Sequence, residues 1–309
     1  MGIEENELEI KTRRLGNLLR ELEPLIPFFE TKTVTNVYIY GEGRVQVDDF
    51  KKGAYDTKII LPPGVRRRII LSLASLSETP INYWKRPTLE SIIPQYNIRT
   101  TAIVPPWVAS PEITFRKPPD MIFTLEKYKK EKRITEEQYE TIVGHIKNRG
   151  NIIVGGGTGA GKTTFTNACI EKMREFTPDE RFYIIEDIPE LQCRAKNKTQ
   201  LYIRTEQSVS AIQTAMRWSP KRIIFGELRH GEVANELLKA WNTGHPGNIT
   251  TIHADSAELT MERVKGLLRE VITGRPPDIE TVVQLCVHLT YKANFGPYVD
   301  EIKEYNGKE

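Results

Sequence analysis

Gly156, Gly161, Lys162 and Thr163 satisfy the spacing G-x-x-x-x-G-K-[ST] within Ile152-Ile153-Val154-Gly155-Gly156-Gly157-Thr158-Gly159-Ala160-Gly161-Lys162-Thr163. Each residue type has a task in holding a phosphate chain. Glycines let backbone N–H groups turn inward around oxygens, and the first turn of a following helix adds partial positive charge. An ammonium reaches the terminal phosphates, and a hydroxyl serves Mg²⁺. Gly156, Gly157, Thr158, Gly159, Ala160, Gly161, Lys162, Thr163 and Thr164 are therefore expected to bind ATP or GTP. Two acids and a histidine extend this chemistry. Glu186 follows Tyr183-Ile184-Ile185, Glu227 follows Ile223-Ile224-Phe225-Gly226, and His253 follows Asn248-Ile249-Thr250-Thr251-Ile252. A carboxylate just past an apolar strand can hold Mg²⁺ through water or orient an attacking water, the two tasks phosphoryl transfer leaves to side chains. Alone, each acid reads better as a helix cap or solvated loop residue, and His253 as a satisfied structural residue. A phosphate loop in the same sheet reverses those odds for the acids.

Positioning these groups requires strands that end level with one another. Thr135 with Gln138 forms a capping box, and Tyr139, Ile142, Val143 and Ile146 line one face of the helix that follows, with Gly150 as its stop. The strand of residues 152–155 comes next, then the phosphate loop and a helix over 165–173. Apolar runs at 182–185, 222–225, 248–252 and 285–289 are separated in several places by helical segments at 209–218 and 232–241. Such alternation predicts an α/β domain with a mostly parallel sheet covered on both faces, its ligand outside the carboxyl edge. Upstream, Leu15, Leu18, Leu19 and Leu22 mark a helix before Pro24. Residues 37–40 and 44–47 read as a hairpin around Gly41-Glu42-Gly43, 65–76 as a helix, and 98–104 and 112–116 as strands flanking Pro105-Pro106. These elements predict a smaller α+β domain over 1–117, a proline-rich and charged linker over 118–134, and the phosphate-loop domain over 135–309.

Composition sets the outer limits. A chain of 309 residues, 39% hydrophobic and 28% charged, fits two soluble globular domains. A net charge of +3 is too small and too evenly spread to announce nucleic-acid binding. Cys169, Cys193 and Cys286 stand far apart, which indicates neither a disulfide framework nor a four-cysteine zinc site and fits a reducing cytoplasm. No run reaches the roughly 18 apolar residues of a membrane span, so no integral membrane segment is expected. Arg66-Arg67-Arg68 and the Lys127 to Arg133 run read as exposed charge, Trp84 and Trp107 as core, and His145, His230 and His288 as lacking partners at metal-ligand spacing.

In order and spacing, the phosphate loop, Ile185-Glu186-Asp187, Gly226-Glu227-Leu228-Arg229 and Thr251-Ile252-His253-Ala254 resemble the Walker A, Asp box, Walker B and His box of the secretion ATPases. That superfamily drives type II secretion, type IV pili and type IV secretion. Ala240-Trp241-Asn242-Thr243-Gly244-His245-Pro246-Gly247 and the stretch before the loop look most like the conjugal-transfer branch. The resemblance spans residues 34 to 305. It implies a RecA-like second domain, a hexameric homo-oligomeric ring, ATP and Mg²⁺ bound between the two domains, and a cytoplasmic protein peripherally attached to inner-membrane secretion or conjugation components. It further implies Thr163 and Glu227 on Mg²⁺, Glu186 preparing water and His253 sensing the γ-phosphate. Arg99 and Arg116 would approach the terminal phosphate, while Arg217 and Arg229 are equally open to intersubunit, phosphate or structural contacts. Arg99 departs from the family in its context, Asn97-Ile98-Arg99 standing where Gly-Glu-Arg is usual. Rival readings are a type IV pilus or type II secretion motor, a nucleic-acid-stimulated ATPase, and an ATP-dependent conformational switch.

Overall fold

The computed structural model describes residues 2–49, 51–117, 122–274, 278–293 and 295–305, with side chains from residue 9 onward. The chain divides into two compact units, one reaching residue 121 and the other starting at Ile122. The first opens with α1 (Gly2–Glu21), a 3-10 turn at Glu23–Leu25 and α2 (Ile26–Glu30). Leu18, Leu22 and Leu25 are wholly buried. The helical spacing of the leucines thus marks the buried stripe, and Pro24, which has no backbone donor, stands where the long helix gives way.

Next come β1 (Val34–Ile39), β2 (Arg44–Asp49), β3 (Gly53–Ile60), α3 (Pro63–Leu76), β4 (Thr88–Ile93), β5 (Ile98–Ile103) and β6 (Glu112–Arg116). The six strands form one antiparallel sheet in the order β3-β2-β1-β6-β5-β4. Alternate residues Val37, Ile39, Val45, Val47, Ile113 and Phe115 share a core with Ile69 and Leu73 of α3. The expected hairpin is present. Neither β3 nor β4 was expected; both are edge strands, and β3 buries none of its residues completely, so its alternation lacks apolar contrast. Two expectations are corrected here. Arg66 is buried instead of exposed, donating to the carbonyls of Leu61, Tyr40 and Pro111 and so tying three loops together. Trp84 and Trp107 lie on the surface, 93% and 62% exposed. Trp84 sits in a turn closed by Asn82, and Trp107 follows the Pro105-Pro106 break.

The second unit begins with α4 (Leu125–Lys130) and α5 (Glu136–Lys147). The expected linker ends earlier than residue 134. Leu125, Tyr128 and Ile134 are buried in this unit's core, so apolar residues between the charges anchor the segment; 118–121 lie outside the described residues. The Thr135–Gln138 capping box forms as expected. At the other end of α5, Arg149 takes the left-handed conformation, φ 62°, expected of a glycine. Gly150 is required instead by closeness, because a Cβ there would meet His145 Nδ1 at 2.7 Å.

The remaining elements are β7 (Ile152–Gly156), α6 (Lys162–Phe176), β8 (Phe182–Glu186), β9 (Lys198–Tyr202), α7 (Ser208–Trp218), β10 (Arg222–Leu228), α8 (Gly231–Asn242), β11 (Ile249–Ile252), α9 (Ala257–Arg269), β12 (Leu285–Lys292) and β13 (Gly296–Glu304). The sheet runs β13-β12-β7-β11-β10-β8-β9, with β7 through β12 parallel and β13 antiparallel. Ile152 and Val154 join the core beneath α4, α5 and α6, while Ile153 joins that beneath α7, α8 and α9. Two covered faces explain why these strands read as unbroken apolar runs.

At the amino edge of this sheet two buried asparagines bind its strands together. Asn151 Oδ1 accepts from the backbone N and Nδ2 of Asn248, at 3.0 and 2.9 Å. Asn248 Oδ1 accepts from Ile223 N at 2.6 Å, and Asn151 Nδ2 donates to Val282 O at 2.7 Å. Truncation would leave buried donors and acceptors unmatched. Asn248→Ala is expected to cost about 3 kcal/mol, read as a lower urea midpoint; an unchanged midpoint would show that the strands hold register without it.

Candidate functional site

β7, β11, β10 and β8 are adjacent and parallel, and their carboxyl ends meet along one edge, so the segments leaving them are neighbours. The loop after β7 turns on glycines. Gly161 has φ 88° and caps α6, and a Cβ there would lie 2.5 Å from Pro297 Cβ. A Cβ on Gly156 would lie 2.5 Å from Leu289 O. The loop is thus seated against β12 and β13, and the N–H groups of the first turn of α6 are aligned behind it, a cradle suited to phosphate oxygens.

Lys162 is buried, its Nζ donating to Gly156 O and Gly157 O at 2.8 and 2.9 Å. Burial pushes its pKa down from the ordinary lysine range. The same ammonium lies 3.3 Å from His253 Nδ1. Since an ammonium has only donors, Nδ1 accepts and the ring proton sits on Nε2, which faces Glu227 Oε1 at 2.8 Å. The other Glu227 oxygen takes Arg229 Nε at 2.7 Å, and Arg229 Nη1 reaches Asp187 Oδ2 at 2.8 Å. One continuous relay of alternating donors and acceptors therefore joins the ends of β7, β11, β10 and β8.

Local backbone chemistry places Glu227 in that relay. The β10–β11 register shifts between Phe225 and Glu227, and such a bulge re-aims the side chain that follows. Gly226 permits it, since a Cβ there would sit 3.1 Å from Glu186 Cβ. Thr251 Oγ1 fixes the freed Gly226 carbonyl at 2.8 Å.

Glu186 is 2% exposed, and three N–H groups reach its carboxylate. Backbone N of Glu190 and of Leu191 donate to Oε2 at 2.9 and 2.8 Å, and Gln200 Nε2 donates to Oε1 at 2.7 Å. Burial nevertheless raises its pKa to about 7, outweighing the donors from Leu191, Gln200 and Glu190. One acceptor position remains on Oε1. A cavity of about 20 Å³, room for one water, is lined by Glu186, Phe225, Glu227, Arg229 and Val233 among others.

Sequence reasoning missed Glu190. The turn that Glu186 braces brings Glu190 Oε2 to 3.2 Å from Thr163 Oγ1, the hydroxyl expected to serve a metal. An acid four residues after Glu186 across a proline was the available signal. Gln200 on β9 was missed too, because that strand was not expected. Arg229 makes ion pairs within the unit, and Arg217 is exposed in the last turn of α7. Arg99 and Arg116 belong to the first unit, directly opposite each other on β5 and β6. Among the described residues no group of three or more His, Cys, Asp or Glu forms a metal-binding cluster, and the three cysteines are free and buried.

Comparison with known proteins gives the family and the fold. Residues 68–293 match the family described as "Type II/IV secretion system protein". The chain is 35% identical over 249 residues to "Conjugal transfer protein TrbB" of Rhizobium radiobacter, covering 78% of this chain and 76% of the relative. It is 27% identical over 312 residues to "Type IV secretion system protein VirB11" of Bartonella quintana, covering 86% and 85%. The solved structure described as "X-ray structure of the Legionella pneumophila ATPase DotB" shares the fold, with a TM-score of 0.67, 18% identity, and 92% of this chain and 80% of that chain covered.

The raised Glu186 pKa fixes the sign of a pH effect. Between pH 4.5, its unfolded value, and about 7, the folded chain binds the extra proton, so this group's contribution to stability falls as pH rises through that window. Unfolding free energy measured from pH 5 to 7 is expected to fall less steeply in Glu186→Gln than in the wild type, by up to about 3 kcal/mol across the window. Parallel slopes would mean that the carboxyl is not the titrating group.

Proposed function

The chain belongs to the type II/IV secretion system protein family as a type IV secretion and conjugal-transfer ATPase, and from that premise we propose a site-by-site reading of ATP hydrolysis in a homo-oligomeric, hexameric ring. The observation that carries it is the relay from Lys162 through His253 to Glu227, which ties the phosphate loop to both later motifs. In this reading the loop amides of 157–163 receive the phosphates, and Lys162 exchanges its two carbonyl partners for phosphate oxygens. Thr163 and Glu227 would hold Mg²⁺, with Glu190 beside the Thr163 hydroxyl. Hydroxyl and carboxylate oxygens are the hard donors that this ion takes, and bound Mg²⁺ would neutralise charge on the terminal phosphates.

Glu186 prepares water from its remaining acceptor position, a role supported by a pKa near neutrality and by the adjoining cavity. His253 reports on the terminal phosphate by redirecting its Nε2–H from Glu227 to that new charge. Arg99 and Arg116 supply further positive charge to it. No described helix is long and apolar enough to cross a membrane. We place the protein in the cytoplasm, peripherally attached to inner-membrane components of the secretion or conjugation machine.

The decisive test is phosphate release from ATP against protein concentration, with Lys162→Ala as control. Turnover is expected to fall at least about 100-fold in that variant, and specific activity to climb with concentration as rings form. Turnover indifferent to Lys162→Ala would remove the assignment, and turnover raised by added DNA would favour the nucleic-acid-stimulated reading. Arg116→Ala is expected to lower kcat by about tenfold or more, with ATP still bound; an unchanged kcat would leave Arg116 a surface residue.

A further inference from the structure

His288 and Asp300 stand behind the turn that carries His253. His288 lies on β12 opposite Gly155 of β7, and the β12–β13 pairing slips between His288 and Leu289. The imidazole is 6% exposed. Its Nδ1 lies 2.7 Å from Asp300 Oδ1 and its Nε2 3.2 Å from the carbonyl oxygen of Ala254. Carboxylate and carbonyl only accept, so both bonds form when each ring nitrogen carries a proton. One residue beyond Asp300, Glu301 Oε2 accepts from Ala257 N at 2.9 Å, at the first residue of α9. Consecutive acids on β13 thus hold the turn 253–257 at both ends, one through His288 and the other directly.

A buried imidazole held to a partly exposed acid is an expensive filler where an apolar side chain would pack. What it supplies is direction, since it fixes where the Ala254 carbonyl points. Ala254 is the chain neighbour of His253, whose ring bridges Lys162 and Glu227. Gly155, lacking a side chain, lets this turn sit close: a Cβ there would be 3.4 Å from Ala254 Cβ and 2.0 Å from Thr260 Oγ1. Little slack remains between β7 and the turn.

We infer that His288 and Asp300 are positioning residues for phosphoryl transfer, holding the His253 turn in register with Lys162 and Glu227. The inference rests on the ATP-hydrolysis reading above. Neither residue touches nucleotide in it; both act through His253, so their loss affects turnover more than ATP capture by the loop.

A double-mutant cycle on the full chain tests this, using steady-state ATP turnover by wild type, His288→Ala, His253→Ala and the double variant. His288→Ala is expected to lower kcat by about tenfold or more while KM stays within about twofold, and to have no further effect once His253 is gone. Losses that multiply would overturn the inference, as would a silent His253→Ala or a silent His288→Ala. Thermal unfolding verifies that each variant is folded. If His288→Ala is not, Asp300→Ala, altered at a partly exposed position, takes its place in the same cycle. Lys162→Ala run in parallel separates the two levels of argument: turnover that depends on Lys162 with a failed cycle removes only the positioning role, whereas turnover independent of Lys162 removes the ATPase reading and this inference together.

Discussion

The register lock between Asn151 and Asn248 is the constraint on which the second unit rests. Parallel strands have no hairpin turns to set their offset, so each could slide by two residues with the same faces buried. Asn151 precedes β7, Asn248 precedes β11, and their amides reach Ile223 on β10 and Val282 just ahead of β12. Arg222, also fully buried, adds a second tie through Glu180 and the Gly247 carbonyl. With the amino edge pinned, the carboxyl edge follows. Ile252 pairs with Gly155 and with Leu228, and Phe225 pairs with Ile185. The phosphate loop, His253, Glu227 and Glu186 can be assembled from four distant segments because none of the four strands is free to shift.

Electrostatics at that edge is organised by burial. Glu186 and Lys162, the two most buried of these charges, are the ones whose pKa values move toward neutrality, while Glu227, His253, Arg229 and Asp187 form the more accessible relay. Charges of opposite sign alternate along the relay, so no like charges meet directly. Such a chain is satisfied at rest and can be repolarised when a polyanion arrives at one end, because each bond is shared by two groups of different affinity for the newcomer.

Much of this was legible in the sequence where backbone need and chemistry coincide. Gly161, which needs a positive φ, is the glycine that the phosphate-loop pattern demands, and apolar runs bounded by Glu186, Glu227 and His253 became strands that end at Glu186, one residue past Glu227 and one residue before His253. The capping box and the leucine stripe were readable because their signals are local. Edge strands were not: β3 alternates without apolar contrast, β9 (Lys-Thr-Gln-Leu-Tyr) does not alternate at all, and neither buries a residue completely. Segment 122–134 looked like a linker because its charges outnumber Leu125, Tyr128 and Ile134, yet those three decide where it packs. The tie between Glu190 and Thr163 crosses 27 positions and that between His288 and Ala254 crosses 34, and neither leaves a periodic trace.

The resting partners of Lys162 act as a selectivity filter. Its ammonium already has two carbonyls and a histidine nitrogen within reach. A ligand gains from this residue only what it offers beyond those neutral acceptors. A neutral nucleoside offers nothing better. A polyphosphate tail, with several formal charges focused where water is scarce, exceeds them easily. On the ATP-hydrolysis reading, the unliganded loop thereby sets a threshold of negative charge that a ligand must exceed before Lys162 turns to it.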